Sequence, residues 1–189
     1  YSWSVNGVEV SSADTLYGED FDRGDSLLCT VTPTDGDDDG LPVSSSPLEV
    51  GNSVPVLSAA ALSNTDPLEG DVLTVVLGTV NDADGDGITF DYSWYVDGTL
   101  VASTPTLTGA SFDKGQSVWC EVTPDDGFDP GESVTTDVAI VGNTLPVVSA
   151  VSLAPASPYT DDDLVASVTA SDVDGDSVTI THIWYVDSV

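Results

Sequence analysis

Short segments with apolar residues at every second position are the main pattern of this chain. Residues 88–96 (ITFDYSWYV) place an aromatic or aliphatic side chain at each even position, and residues 117–123 (SVWCEVT) also place apolar residues there. Successive side chains of a strand point to opposite faces, so this period of two predicts β-strands with one buried face. No segment shows the apolar spacing of an amphipathic helix. The sequence therefore predicts an all-β fold.

Turn residues lie between the predicted strands. Asn6–Gly7 and Asp97–Gly98 are typical two-residue turns of β-hairpins, because glycine adopts the positive φ that such turns require. A loop with proline and glycine at 124–132 leads into the segment 133–141. Short strands separated by turns at regular spacing predict a β-sandwich.

The same phrases recur with a period of about 91 residues. FDRGDSLLCTVTPTDG (21–36) returns as FDKGQSVWCEVTPDDG (112–127), and DADGDGITFDYSWYVDG (82–98) returns as DVDGDSVTITHIWYVDS (172–188) after a one-residue deletion. A period of this length is that of one small domain. The sequence therefore predicts tandem domains of one kind.

The period divides the chain into one complete and two partial repeats. Residues 1–53 are the C-terminal part of the first repeat, 54–144 form the complete second repeat, and 145–189 are the N-terminal part of the third. Half a sandwich would expose its apolar face. Two explanations stay open: the chain is a window on a longer array, or the half repeats complete each other between neighbouring molecules.

A tryptophan and a cysteine recur at equivalent positions and are assigned to the repeat cores. Trp3, Trp94 and Trp184 share one position, and Cys29 and Cys120 share another. The two cysteines cannot pair with each other, because equivalent sites in successive domains are more than ~20 Å apart and a disulfide needs ~6 Å between Cα atoms. Each thiol is expected to be a small buried apolar group, with an intermolecular disulfide as the alternative.

Several of these phrases carry a family resemblance. They are DADGDGITF (82–90), WYVDG (94–98), the run at 112–127 and NTLP (143–146). The chain resembles the immunoglobulin-like tandem repeats of very long secreted or surface proteins of bacteria, notably of deltaproteobacterial and myxobacterial type. This resemblance implies tandem immunoglobulin-like (cadherin- or fibronectin-III-like) β-sandwiches, an extracellular or cell-surface location and an adhesive or scaffolding role.

The charge balance excludes several classes of partner. The chain has 33 acidic and 2 basic residues, a formal net charge of −31. Nucleic acids require Lys and Arg for their phosphates, and anionic lipid is repelled as well. No apolar run approaches the roughly 20 residues of a membrane-spanning helix. The carboxylates attract cations, so the acidity serves either solubility alone or Ca²⁺ binding.

Two acidic loops are candidate Ca²⁺ sites. Alternate Asp residues around glycine wrap a loop so that oxygens converge, and Ca²⁺ takes six to eight oxygen ligands. The alternative is an acidic turn closed by its own side-chain hydrogen bonds. The candidate ligands are Asp82, Asp84 and Asp86, their counterparts Asp172, Asp174 and Asp176, and, with weaker support, Asp125, Asp126 and Asp129 of the 124–132 loop.

The two basic residues of the chain occupy the same repeat position. Arg23 and Lys114 each follow Phe-Asp and precede Gly. In a sandwich this turn faces the next domain, so Arg23 is expected near 82–86 and Lys114 near 172–176. The hypothesis is that these contacts orient neighbouring repeats, and the alternative is a solvated cation in a turn.

These patterns favour a structural function. With one His, no phosphate-binding glycine loop and no nucleophile beside a base, the chain is expected not to be an enzyme. The leading hypothesis is a segment of an extracellular filament or adhesin stalk with Ca²⁺ at its joints. Its partners would be other repeats of the chain, with homopolymeric or lateral self-association. The alternative is a module that binds polysaccharide or protein through exposed aromatics such as Tyr95 and Trp119.

Overall fold

The chain is built from β-strands, which confirms the all-β prediction. The computed structural model describes residues 1–186, and regular structure there consists of strands and two 3-10 helices, Gly18–Asp20 and Gly109–Ser111. The strands are β1 (Ser2–Val5), β2 (Val8–Ser11), β3 (Ser26–Val31), β4 (Val43–Ser44), β5 (Leu48–Glu49), β6 (Val56–Leu57), β7 (Ala60–Leu62), β8 (Val72–Leu77), β9 (Val80–Asn81), β10 (Thr89–Val96), β11 (Thr99–Ala102), β12 (Thr106–Thr108), β13 (Ser117–Asp125), β14 (Val134–Thr135), β15 (Ala139–Ile140), β16 (Val147–Ala154) and β17 (Val165–Ser171).

The first repeat forms one antiparallel sheet. Its strand order is β2-β1-β3-β4, and β5 pairs with the start of β3. Trp3 lies opposite Cys29 in the ladder between β1 and β3. The predicted turn at Asn6–Gly7 joins β1 to β2, with φ of +50° and +79°. The residues of this turn therefore match the backbone that a two-residue hairpin requires.

The middle repeat contains two larger sheets around one apolar core. One sheet has the order β11-β10-β13-β14, with β15 on β13, and the other has the order β12-β8-β7. Both sheets, together with segments next to their strands, contribute side chains that are at most 2% exposed, an arrangement typical of a β-sandwich. These side chains are Leu73, Trp94, Leu107, Phe112, Val118, Cys120, Val122 and Val141.

The third repeat is represented by a hairpin. Strands β16 and β17 pair from Val147 opposite Ser171 to Ala154 opposite Val165. All eight residues of β16 are exposed. Residues 178–186 correspond to β10 of the middle repeat but form no strand.

Contacts group the chain into two compact units that do not follow the repeat boundaries. The 78–91 and 123–134 loops of the middle repeat join the first unit because they pack with the end of the first repeat. The first unit comprises Tyr1–Ser58, Gly78–Asp91 and Thr123–Val134, and the second comprises Ala59–Leu77, Tyr92–Val122 and the described residues from Thr135 onward. The repeat ranges 1–53, 54–144 and 145–189 stay predictions, and the last three residues of the third lie outside the described part of the chain.

Candidate cation sites at the repeat joints

Arg23 connects the first repeat to the acidic loop of the middle repeat. Its Nη2 donates to Asp86 Oδ1 at 3.0 Å, and its Nη1 donates to the other oxygen of that carboxylate. Nη1 also donates to Asn52 Oδ1 at 2.8 Å. A guanidinium that binds both oxygens of a carboxylate has a defined orientation, which a single point charge lacks. All of these residues belong to the first unit.

The 124–132 loop also contacts Arg23 and Asn52. Asn52 Nδ2 donates to Asp126 Oδ2 at 2.9 Å and to Asp129 Oδ2 at 3.3 Å. The Phe128 ring lies 3.7 Å from Arg23 Cζ, which adds a cation–π contact. Two loops of the middle repeat therefore contact the end of the first repeat. The 124–132 loop contacts Arg23 and the side chain of Asn52, the first residue of the linker 52–55, and the 82–86 loop contacts Arg23.

The acidic loop 82–86 closes around its first carboxylate. Asp82 Oδ1 accepts hydrogen bonds from the backbone N–H of Asp84 at 2.9 Å and of Asp86 at 3.2 Å. Asp84 Oδ2 accepts from the linker amide of Ser53 at 2.8 Å. Among the described residues, Asp82 Oδ2 is buried without a hydrogen-bond partner. We call Arg23, Asn52, Ser53, Asp82, Asp84 and Asp86 the first joint.

The same contacts recur where the middle repeat meets the third, inside the second unit. Lys114 Nζ donates to Asp176 Oδ2 and, at 3.2 Å, to Asn143 Oδ1. The linker amide of Thr144 donates to Asp174 Oδ2 at 2.6 Å. We call Lys114, Asn143, Thr144, Asp172, Asp174 and Asp176 the second joint.

The second acidic loop is closed like the first. Asp172 Oδ1 accepts from the backbone N–H of Asp174 at 3.0 Å and of Asp176 at 3.3 Å. Asp174 Oδ1 and Thr144 Oγ1 are buried without a hydrogen-bond partner in the described chain. The turn geometry and the incomplete use of the carboxylate oxygens are therefore properties of both joints.

Charge pairing stabilises the ionised form of the basic side chains. The hydrogen bond to Asp86 raises the pKa of Arg23, and the hydrogen bond to Asp176 raises the pKa of Lys114. Desolvation raises the pKa of Asp126, but hydrogen bonds from its own loop and from the Asn52 side chain lower this pKa by a larger amount, so the net shift is downward. Both joints therefore hold ion pairs at neutral pH.

The acidic triplets fit a hard divalent cation. In each triplet, every Asp offers one oxygen within 4.8 Å of the oxygens offered by the other two. Carboxylate oxygens are the ligands that Ca²⁺ prefers. The unpartnered oxygens of Asp82 and Asp174 lie in these same triplets. Asp86 and Asp176 are already bound to the basic residues, so a metal would share them with a side-chain cation.

The proposed core residues differ in burial among the repeats. Trp94 and Cys120 are fully buried, Trp3 and Cys29 are half-buried, and Trp184 is 52% exposed. Both cysteines are free. Burial raises the pKa of the Cys120 thiol to about 11, so this group is protonated and unreactive at neutral pH.

The aromatic residues considered for ligand binding contact each other. Tyr95 and Trp119 are stacked, with ring centroids 4.0 Å apart and planes 9° from parallel. Each ring therefore covers a face of the other, which reduces the aromatic surface open to a sugar. A cavity of about 430 Å³ lies instead in the third repeat, lined by residues that include Val148, Trp184 and Tyr185.

Sequence reasoning missed part of the joints. Asn52 and Asn143 are not among the predicted site residues, although both contact the basic residue of their joint. Their recurrence one period apart was the available signal. Of the weaker metal candidates, Asp126 and Asp129 reach the first joint, whereas Asp125 Oδ1 accepts from an N–H of its own loop.

No protein-family model matches this chain, and no curated protein matches its sequence. Among the described residues, no helix is long and apolar enough to cross a membrane.

Proposed function

We propose that this chain is a structural segment of an extracellular filament or adhesin stalk made of tandem immunoglobulin-like repeats. The observation that carries the proposal is the recurrence of one contact network at two successive joints. In each, a basic side chain binds the third Asp of the acidic loop and the linker Asn. The backbone N–H of the residue after that Asn donates a hydrogen bond to the second Asp. The acidic surface and the resemblance to bacterial surface repeats support the extracellular location.

The network acts on a linker with little freedom of its own. Asn52-Ser-Val-Pro and Asn143-Thr-Leu-Pro each place a proline three residues after the Asn. Proline restricts the backbone, and the side-chain and amide hydrogen bonds hold the residues before it. A joint of this kind transmits orientation from one repeat to the next, which is the property a stalk requires.

Amide hydrogen exchange tests this role one joint at a time. We expect Arg23→Gln to accelerate exchange at the Ser53 amide and Lys114→Gln to accelerate exchange at the Thr144 amide, because each linker N–H loses the support of its joint. Arg23→Lys and Lys114→Arg are matched controls that keep the charge and should keep most of the protection. Unchanged exchange at both amides in the two Gln variants would refute the proposed role of the joints.

We further propose that the acidic triplets bind Ca²⁺ and stiffen the joints. The supporting observations are the converging Asp oxygens and the buried, unpartnered oxygens of Asp82 and Asp174. A ligand that binds the folded state raises its stability by mass action. Excess Ca²⁺ should therefore raise the melting temperature relative to EDTA, and combined Asp82→Asn and Asp172→Asn substitutions should reduce that increase. Equal melting temperatures with Ca²⁺ and EDTA would exclude the metal and leave the side-chain joints unaffected.

A further inference from the structure

One sheet of the middle repeat carries no charged residue. Its strands β7, β8 and β12 lie in three runs, residues 53–65, 72–81 and 98–112, that contain no acidic or basic side chain. Charged residues make up 19% of the chain, so their absence from a whole sheet is a marked departure from its composition. The sheet on the other side of the core has acidic residues at outward positions of β10 and β13, namely Asp91 and Glu121.

The outer surface of the uncharged sheet faces away from the core. Leu73 and Leu107 point inward and are fully buried, so the residues next to them in the strands point outward. Val72 and Val76 are each 58% exposed. Because this surface faces outward, the second sheet of the repeat does not cover it. We call the outward residues of the three strands the uncharged face: Ala61, Val72, Thr74, Val76, Thr106 and Thr108.

The third repeat has an outer surface of the same kind. Residues 145–160 and 164–171, which contain β16 and β17, also lack charged residues. The two strands pair in the register of β7 and β8, and Val165, at the position of Thr74, is 59% exposed. Among the positions of these two strands that match the uncharged face, Asp163 alone is charged. The lack of charge is therefore repeated one period later.

We propose that two copies of this chain associate side by side, the uncharged face of one packing on the uncharged face of the other. With a formal net charge of −31, two copies repel each other wherever their acidic surfaces meet. Contact through an uncharged sheet keeps carboxylates out of the interface and buries the methyl groups of Val and Thr. The same surface serves both copies, so the contact is isologous. This inference rests on the proposed stalk function and names its lateral partner.

The size of the uncharged face favours a partner with the same repeat period. Three strands about 4.8 Å apart and about 15 Å long give an area on the order of 200 Å², well below the ~800 Å² per partner of a stable interface. A single contact is therefore weak, and affinity depends on several contacts made together. A second copy carries its faces with the same period of about 91 residues, so each further repeat adds a contact. A partner without this period does not gain in that way.

Amide shifts over a concentration series into the millimolar range test the association. The shifts of Thr74 and Val76 should change with concentration, and Val76→Asp should lower the association constant at least about tenfold, because opposed carboxylates then meet in the contact. Ile140→Asp is the matched control, since Ile140 is also 58% exposed and lies in β15 on the other sheet. Its association constant should stay within about twofold of the wild type. Melting temperatures verify that both variants are folded.

Substitutions of opposite sign identify the partner as a second copy. An equimolar mixture of Val76→Asp and Val76→Lys chains should associate more tightly than either variant alone, because the contact places both substituted strands in one interface. A mixture of Ile140→Asp and Ile140→Lys chains should show no comparable gain.

Salt dependence separates this contact from association through ion pairs or Ca²⁺. With EDTA present, raising NaCl from about 0.05 M to about 0.5 M screens the repulsion between copies, so wild-type association should strengthen several-fold. A chain that stays monomeric at both salt concentrations, weaker association at high salt, equal losses in Val76→Asp and Ile140→Asp, or no gain in the mixed Val76 chains would overturn the proposal and assign the face to a different partner. Exchange at the Ser53 and Thr144 amides reports on the joints in the monomer, so failure of the lateral contact is distinguishable from failure of the joints.

Discussion

The two hairpin turns use different residues for equivalent contacts. In the middle repeat, Asp97 accepts from Ser117 N at 2.9 Å and from Gln116 Nε2 at 3.0 Å. In the first repeat, the turn residue is Asn6, which donates its amide to Asp25 Oδ1 at 2.6 Å. The carboxylate and the amide have exchanged places between the two positions. Both repeats keep a hydrogen bond between the turn and the residue just before the next strand of the sheet. The negative charge lies in the turn in the middle repeat and just before β3 in the first repeat.

This exchange predicts the effect of Asp97→Asn at low pH. The hydrogen bonds from Ser117, followed by that from Gln116, lower the pKa of Asp97. A lowered pKa contributes stability above the unfolded value of about 3.9, and that contribution is lost as pH falls through the folded pKa. The neutral amide of the variant has no such contribution to lose, so its melting temperature should fall less than that of the wild type between pH 7 and pH 3.

Asp91→Asn is the control for this comparison, because Asp91 is an exposed residue of β10 outside the turn. It should leave the pH dependence of melting close to that of the wild type. Parallel melting curves for the wild type and the Asp97→Asn variant across this pH range would contradict the assigned role of the carboxylate.

For single residues, the sequence pattern predicted the features that depend only on neighbours in the chain, namely burial and turn geometry. Trp94 and Cys120 are buried because strand alternation places each on the apolar face of its strand. Glycine occurs in the turns because these positions have a positive φ. The contact between Asn52 and Asp126 joins residues 74 positions apart, and no local pattern encodes such a distance. Only the recurrence of Asn52 as Asn143 indicated that this residue type was required.

Among the elements, the 124–132 loop shows why one glycine is needed at a joint. A Cβ at Gly131 would overlap the carbonyl oxygen of Pro55, a residue of the linker, and would lie 3.0 Å from the Pro124 ring. A Cβ at Gly40, the counterpart in the first repeat, would meet the Pro33 ring at 2.9 Å and no linker. The comparison isolates the contact between loop and linker.

We therefore expect Gly131→Ala to destabilise the chain by about 1–3 kcal/mol, the usual cost of forced overpacking. Gly40→Ala should cost less, because a proline ring can move where a linker carbonyl is held. Chemical denaturation followed by tryptophan fluorescence measures both variants. Equal losses would show that the close approach to Pro55 is unimportant.

Strand existence was more predictable than strand limits. The predicted strands at 88–96 and 117–123 correspond to Thr89–Val96 and Ser117–Asp125. The segment 133–141 is divided into two short strands, Val134–Thr135 and Ala139–Ile140. At the break, the Thr136 hydroxyl accepts from Cys120 N at 3.1 Å, so a side chain replaces a ladder hydrogen bond. Sequence pattern cannot show such a replacement, since threonine is also common within strands.

For the whole molecule, the position of the two basic residues matters more than their number. The formal net charge is −31, and both positive side chains are used at joints. Self-repulsion acts over the rest of the surface and is screened by salt. The joints are therefore the places where this chain offsets its own charge, either with a side chain or with a bound cation.

Arg23→Gln separates these two means of charge compensation. If Ca²⁺ uses Asp86, the guanidinium competes with it for both oxygens of that carboxylate, and its removal also removes a repulsive charge. The variant should then bind Ca²⁺ about tenfold more tightly at the first joint, as measured by calorimetry and by amide shifts at Gly85. Arg23→Lys keeps the charge and should stay near the wild-type affinity. An unchanged or weaker affinity in Arg23→Gln would mean that the guanidinium supports the acidic loop and does not compete with the metal. The Arg23 side chain, and not a bound cation, would then hold the first joint.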